Sequence, residues 1–252
     1  MEYCNLGSSD LRVSKVCLGT MTWGQQNTPQ EGVDQLQYAF SQGVNFLDTA
    51  EIYPVPTKSS TQGDTDRVVA RWLKTQTRSE VVLASKVAGN SPQLTYMPGR
   101  GGAGTAVTAG QIRASTVTCP SNRYVTVCHH FLDRYVPLFG GGAYNASLER
   151  EAVGFEEQLQ ALEELVKEGK VRHLGLSNET PYGVMKFAQV AEKSGSSRMV
   201  SIQNSYSLLV RSDFENGLTE VCSARNENVG LLAYSPLAGG ILTGGFNTHY
   251  SI

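Results

Sequence analysis

The chain has 252 residues, a net charge of −2, 40% hydrophobic residues and 17% charged residues. These values are ordinary for a globular protein long enough to bury a sizeable core, and the small charge gives no reason to expect a nucleic acid or an anionic membrane as a partner. No apolar run in the sequence approaches the roughly 20 residues that a membrane-spanning helix needs.

The cysteines are scattered and odd in number, which favours reduced thiols over a disulfide framework. The chain contains no Cys-x-x-Cys pair, so the pattern does not support a metal site. Residues 1–5 have neither the basic nor the apolar segment of a secretion signal. We therefore expect a cytoplasmic protein without a metal, and a plastid location is the alternative if the true N-terminus lies upstream. The five cysteines are Cys4, Cys17, Cys119, Cys128 and Cys222.

Short apolar runs recur along the chain and predict the strands of a parallel sheet that is buried on both faces. Each run ends at a polar or glycine-containing stretch. In chain order the runs are residues 16–20, 44–48, 81–86, 174–178, 200–204 and 229–234.

Helical patterns lie between these runs. Residues 28–31, Thr-Pro-Gln-Glu, have the residue types of a capping box with proline at the first helical position, and Gly43 marks the end of that helix. Apolar spacing predicts a second helix over residues 155–167, and Thr180-Pro181 begins a third. The alternation of strand and helix predicts a parallel α/β fold, with residues 1–252 as one domain.

Polar residues follow several of the predicted strands, and in a parallel barrel the carboxyl ends of the strands carry the chemistry. One such residue more often caps a loop than acts in a site, but five such strand ends in one chain favour a functional site. No Gly-x-Gly-x-x-Gly fingerprint follows an early strand, which counts against a Rossmann dehydrogenase. The glycine-rich residues 99–104 predict a flexible loop.

Three segments resemble active-site motifs of the aldo-keto reductases. Residues 46–53 are similar to the family segment that supplies an aspartate and a tyrosine, and residues 84–87 to the strand end that supplies a lysine. Residues 130–133, His-Phe-Leu-Asp, stand where the family has His-Trp-Pro-Asp, although His129 offers a rival register. The resemblance implies a (β/α)8 TIM barrel with the catalytic residues Asp48, Tyr53, Lys86 and His130.

Further matches resemble the family's nicotinamide and diphosphate contacts and imply NADPH as the cofactor. Residues 53–56 and the long loop between residues 133 and 152 look most like the Tas-type branch of the family. The cofactor-binding residues implied by the resemblance are Gly19, Thr20, Met21, Asp48, Ser177, Asn178, Gln203, Tyr234, Ser235, Pro236 and Leu237.

These residue types suit the reduction of an aldehyde or ketone, which needs a hydride and a proton. An unperturbed tyrosine has a pKa of about 10, and the ammonium of Lys86 would lower the pKa of Tyr53. Asp48 would keep Lys86 charged, while His130 would position the carbonyl oxygen or assist proton transfer. By resemblance, Tyr234 would stack on the nicotinamide, and Ser177, Asn178 and Gln203 would hold its carboxamide.

The sequence departs from the family pattern in two places. By resemblance residues 112–120 should form a helix, but their β-branched residues and proline disfavour one. The chain also stops at Ile252, so the resemblance implies a barrel that lacks its eighth β/α unit, which in the family carries basic residues for the adenosine 2′-phosphate. The competing hypothesis is a non-catalytic nicotinamide-binding regulator or a truncated inactive protein. The resemblance also implies a small-molecule carbonyl compound as the substrate.

Overall fold

The computed structural model describes residues 1–118, 125–131 and 144–245, with backbone only for residues 116–118 and 125–131. The chain begins with an antiparallel hairpin of β1 (Tyr3–Asn5) and β2 (Arg12–Ser14). The sequence patterns did not predict this hairpin, because strands of three residues are too short to show a period. Leu6, Leu11 and Val13 of this region are buried against residues of the main sheet.

Seven parallel strands form the main sheet, and each pairs with the next strand along the chain. In a doubly wound fold the strand order reverses at a switch point, whereas a barrel keeps the order of the chain. The sheet therefore confirms the predicted fold class, and β3 and β9 are its end strands among the described residues. The strands are β3 (Cys17–Gly19), β4 (Phe46–Asp48), β5 (Val82–Val87), β6 (Val125–Phe131), β7 (Val171–Ser177), β8 (Met199–Ser205) and β9 (Gly230–Tyr234).

Helices occupy the connections between these strands. The predicted capping box is present, because Thr28 Oγ1 accepts from the backbone N–H of Glu31 and the Glu31 carboxylate accepts from the backbone N–H of Thr28. The helices are α1 (Pro29–Ser41), α2 (Asp64–Leu73), α3 (Ala109–Thr118), α4 (Phe155–Lys167), α5 (Pro181–Ser194), α6 (Ser212–Glu215) and α7 (Leu218–Cys222). None of the helices described is long and apolar enough to cross a membrane.

Helix α3 corrects the expectation that residues 112–120 disfavour helix, at least as far as Thr118. Ile112 is fully buried in the same core cluster as Leu159 and Leu162 of α4. On the exposed side, the guanidinium of Arg113 pairs with Glu164 of α4 and with Glu168, the residue that follows α4. Packing against α4 thus outweighs the weak intrinsic helix propensity of the segment.

The two tryptophans pack in the interior. Trp23 is fully buried and Trp72 is 2% exposed, and both belong to a cluster between α1, α2 and the first strands of the main sheet. Phe40 meets the Trp72 ring edge-on, with the ring centroids 5.4 Å apart. This cluster packs α2 against α1 and against the first strands of the main sheet.

Candidate active site

The ammonium of Lys86 is the centre of a hydrogen-bonded group at the carboxyl end of β5. It donates to Asp48 Oδ2 at 2.5 Å, to the Thr49 carbonyl at 3.0 Å and to the Tyr53 hydroxyl at 3.2 Å. An ammonium has three N–H donors, so each one has a named acceptor. Lys86 is 5% exposed and Asp48 is 7% exposed, which makes this a desolvated group.

The register between β4 and β5 explains why these side chains meet. Asp48 lies opposite Ala84, so Lys86 follows two residues further along β5. Side chains two apart on a strand lie on the same face. The Lys86 side chain therefore reaches the end of β4 from the same side of the sheet as Asp48.

The Tyr53 hydroxyl accepts from Lys86, which leaves its own proton for another acceptor. Burial raises the pKa of Tyr53 and Asp48 raises it further, and the lowering effect of Lys86 does not offset them. Lys86 lowers the pKa of Tyr53, as predicted. The predicted net lowering is wrong, because the burial of the phenol has the larger effect. At neutral pH the phenol is therefore protonated.

The pKa of Lys86 is raised. Burial alone would lower it, but the charge of Asp48 and the contact with Tyr53 outweigh that effect. The lysine is accordingly charged at neutral pH, as the sequence predicted. The site thus pairs a charged ammonium with a protonated phenol.

Asp48 also connects two other strands to this group. Its Oδ1 accepts from Gln203 Nε2 on β8 at 2.9 Å. Its backbone carbonyl accepts from the Thr20 hydroxyl at 2.9 Å and from the Thr20 backbone N–H at 3.1 Å. Two predicted cofactor residues, Thr20 and Gln203, therefore contact the predicted catalytic aspartate directly.

The ends of β7 and β9 meet beside Gln203. The Tyr234 hydroxyl donates to Asn178 Oδ1 at 2.8 Å, and the Asn178 backbone N–H donates to the Gln203 carbonyl at 2.9 Å. Asn178 has a φ of 57°, in the left-handed region, which asparagine tolerates better than most residues. Ser177 lies opposite Gln203 in the sheet register. The structure thus brings Ser177, Asn178, Gln203 and Tyr234 to one edge.

The remaining predicted residues are less enclosed. Gly19 lies opposite Asp48 in the sheet register. Met21 is 43% exposed, and its carbonyl accepts from Val55 N. Residues 235–237 continue from β9 onto an exposed turn, in which Leu237 is 54% exposed. Their roles stay predictions.

The side chain of His130, the fourth predicted catalytic residue, lies outside the described residues. The backbone of β6 places His129 opposite Lys86 and His130 opposite Val87. The choice between the two histidines stays a prediction.

Sequence reasoning missed a buried ion pair close to this group. The Glu51 carboxylate accepts from Arg100 Nη2 through both of its oxygens, at 2.7 and 2.9 Å. Arg100 falls in the glycine-rich run that was interpreted as a flexible loop, yet its side chain is fully buried. A single arginine among glycines was the available signal, but only the fold identifies its partner.

Asp66, on the first turn of α2, was also missed. It is 8% exposed, and its Oδ1 accepts from the Thr49 hydroxyl at 2.8 Å. Burial raises the pKa of Asp66 to about 7. Since the Thr49 carbonyl accepts from Lys86, Asp66 supports a residue that contacts the lysine.

Comparison with known proteins identifies relatives along most of the chain. The sequence model of the Aldo/keto reductase family matches residues 15–252. Protein tas of Escherichia coli is 40% identical over 251 residues, which cover 97% of this chain and 70% of that protein. An aldo-keto reductase of Babesia bovis is 37% identical over 66% of this chain and 61% of its own length. The uncharacterized oxidoreductase YrpG of Bacillus subtilis is 30% identical over 97% of this chain and 69% of its own length.

Proposed function

The chain belongs to the aldo/keto reductase family, in its Tas-like branch, and we propose that this oxidoreductase reduces an aldehyde or ketone to an alcohol with NADPH as the hydride donor. The observation that carries the proposal is the orientation of the Lys86 ammonium. It donates a hydrogen bond to the Tyr53 hydroxyl, while Asp48 and the Thr49 carbonyl accept its other two hydrogen bonds. The tyrosine is thereby held with its proton available.

In the proposed reaction NADPH, when bound, would supply the hydride for the carbonyl carbon of the substrate. The Tyr53 hydroxyl donates its proton to the carbonyl oxygen, which becomes the alcohol oxygen. The positive charge of Lys86 stabilises the resulting tyrosinate, and the carboxylate of Asp48 keeps Lys86 charged. The raised pKa of Tyr53 favours the protonated form that a general acid must have before the reaction. We assign His130 to the orientation of the carbonyl oxygen, as the resemblance implies.

The edge formed by β7, β8 and β9 suits a nicotinamide ring with its carboxamide. Asn178 and Gln203 present amide groups there, and the half-buried Tyr234 presents an aromatic ring. We assign Ser177, Asn178 and Gln203 to the carboxamide, Tyr234 to the ring face, Gly19, Thr20 and Met21 to the floor of the site, and Ser235, Pro236 and Leu237 to the diphosphate.

The test is NADPH oxidation by the purified chain with an aromatic aldehyde such as 4-nitrobenzaldehyde. Replacing Tyr53 with phenylalanine keeps the ring and removes the acid, so the rate should fall at least about 100-fold, while the Kd of NADPH stays within about twofold. Tyr38→Phe changes a tyrosine that is 69% exposed and should leave both quantities unchanged.

A full rate in Tyr53→Phe would contradict the assignment of the acid. Saturable NADPH binding without turnover of any carbonyl by the parent chain would instead support the alternative of a non-catalytic nicotinamide-binding protein.

A further inference from the structure

We propose that Glu51 is a positioning residue that holds Tyr53 at its distance from Lys86, and that Arg100 keeps the Glu51 carboxylate in place. This inference rests on the proposed role of Tyr53. Glu51 precedes Tyr53 by two residues. Its carboxylate accepts from the backbone N–H of Ala88, which follows Lys86 by two residues.

The segment after β4 stays attached to β5 beyond the last residue of the strand. Thr49 N donates to the Ala84 carbonyl at 2.9 Å, and Glu51 N donates to the Lys86 carbonyl at 3.4 Å. The next contact is made by a side chain, because Ala88 N donates to Glu51 Oε1 at 2.7 Å. Glu51 thus adds one more contact with β5 immediately before the chain reaches Tyr53.

The hydrogen bond from Ala88 N to the Glu51 carboxylate is shorter than the backbone hydrogen bond from Glu51 N to Lys86. A backbone bond of 3.4 Å at Lys86 is long for a hydrogen bond, whereas 2.7 Å from a backbone N–H to a carboxylate is in the range of charge-assisted bonds. The Glu51 backbone carbonyl also accepts from Gln62 at 3.1 Å, which links the segment to the residues before α2. The Glu51 carboxylate is therefore a short link between β5 and the segment that carries Tyr53.

Arg100 also holds that carboxylate. Besides the two bonds to Glu51, its Nη1 donates to the Pro98 carbonyl at 2.8 Å and its Nε donates to Gln111 Oε1 at 3.2 Å. Gln111 in turn accepts from Ala106 N and donates to the Gly104 carbonyl. The guanidinium is thus fixed in the loop between β5 and α3.

Burial makes this pair sensitive to the loss of either member. The side chains of Arg100 and Glu51 are 0% and 4% exposed. A buried charge without its partner is strongly disfavoured, whereas replacing both members with apolar residues of similar volume is often tolerated. We therefore expect a double apolar variant to remove the contact with Ala88 and to keep the chain folded.

The readout is the fraction of Tyr53 in the tyrosinate form at pH 10, followed by NMR of the ¹³C-labelled ring carbon that bears the hydroxyl. The Tyr53 resonance is identified by its loss in Tyr53→Phe. In Glu51→Ala, and in the double variant Glu51→Leu with Arg100→Leu, we expect Tyr53 to move away from Lys86. Because Lys86 lowers the pKa of Tyr53, losing this contact while the ring stays buried should reduce the tyrosinate fraction about tenfold, which is one pH unit of pKa.

Glu51→Gln keeps an acceptor for Ala88 N and should stay within about twofold of the parent chain. Arg113→Met removes the half-exposed ion pairs with Glu164 and Glu168, which do not involve Glu51, and should not change the fraction. Should Glu51→Ala fail to fold, the double variant decides. An unchanged tyrosinate fraction in the folded double variant would overturn the proposal.

The titration needs no turnover, so its result is separate from the test of the proposed function. If the parent chain reduces no carbonyl, the proposed function fails, while the NMR measurement still decides whether Glu51 sets the environment of Tyr53.

Discussion

The side-chain amide of Gln203 donates to Asp48 Oδ1 over 2.9 Å, although 155 positions separate the two residues. The other carboxylate oxygen accepts from Lys86. Each oxygen of Asp48 therefore has its own partner, one on β5 and one on β8. A residue assigned to the cofactor is in this way connected to a residue assigned to proton transfer.

Gln203→Leu should weaken NADPH binding about tenfold, which corresponds to one hydrogen bond of about 1.4 kcal/mol. The substitution removes the group assigned to the carboxamide and leaves one oxygen of Asp48 without its donor. Quenching of tryptophan fluorescence during an NADPH titration gives the Kd. Gln42→Leu, at an exposed position, is the matched control. An unchanged Kd would argue against a place for Gln203 in the cofactor site.

Lys86→Met should lower the free energy of unfolding by about 3–5 kcal/mol, because it leaves the buried carboxylate of Asp48 without its cation. Adding Asp48→Asn removes that charge, so the double variant should be more stable than Lys86→Met alone. Urea unfolding followed by tryptophan fluorescence measures both. Strictly additive losses would show that the two groups do not interact in solution.

Asp66→Asn should stabilise the chain at pH 8 and have little effect near pH 4. The folded pKa of Asp66 is about 7, above the ordinary value of 3.8, so between these values the folded carboxyl keeps a proton that the unfolded one has lost. The free energy of unfolding of the parent chain therefore falls as pH rises from about 4 to 7 and levels off above that.

The gain at pH 8 should be as large as about 4 kcal/mol, since asparagine keeps an acceptor for the Thr49 hydroxyl but carries no charge. Urea unfolding at pH 5, 6, 7 and 8 measures the difference. Asp34→Asn, on the exposed face of α1, is the control. A gain that does not depend on pH would contradict the raised pKa.

Thr28→Ala should cost about 1 kcal/mol of stability, because it removes the side-chain acceptor at the N-terminus of α1. Thr28→Ser keeps the hydroxyl and should restore most of the loss. The shift in the thermal midpoint measured by circular dichroism checks both variants, and equal losses for alanine and serine would mean that the hydroxyl does not act as a cap.

Much of the fold could be predicted because its signals are local. Helix α4 was predicted at residues 155–167, and the capping box of α1 was read directly from residues 28–31. The β1–β2 hairpin and α2 were missed. The first turn of α2 contains the acidic residues Asp64 and Asp66, and the burial of Asp66 contradicts the usual pattern of polar residues outside.

By itself the sequence determined the alternation of strands and helices and the polar residues at the strand ends, and its short motifs selected Asp48, Tyr53 and Lys86 as candidate catalytic residues. Apolar runs, helix caps and short motifs are all encoded within a few neighbouring residues. Only the tertiary structure decided that Lys86 uses all three of its donors, that burial raises the pKa of Tyr53, and that Arg100 pairs with Glu51. Those properties depend on desolvation and on partners from distant parts of the chain, which the fold alone brings together.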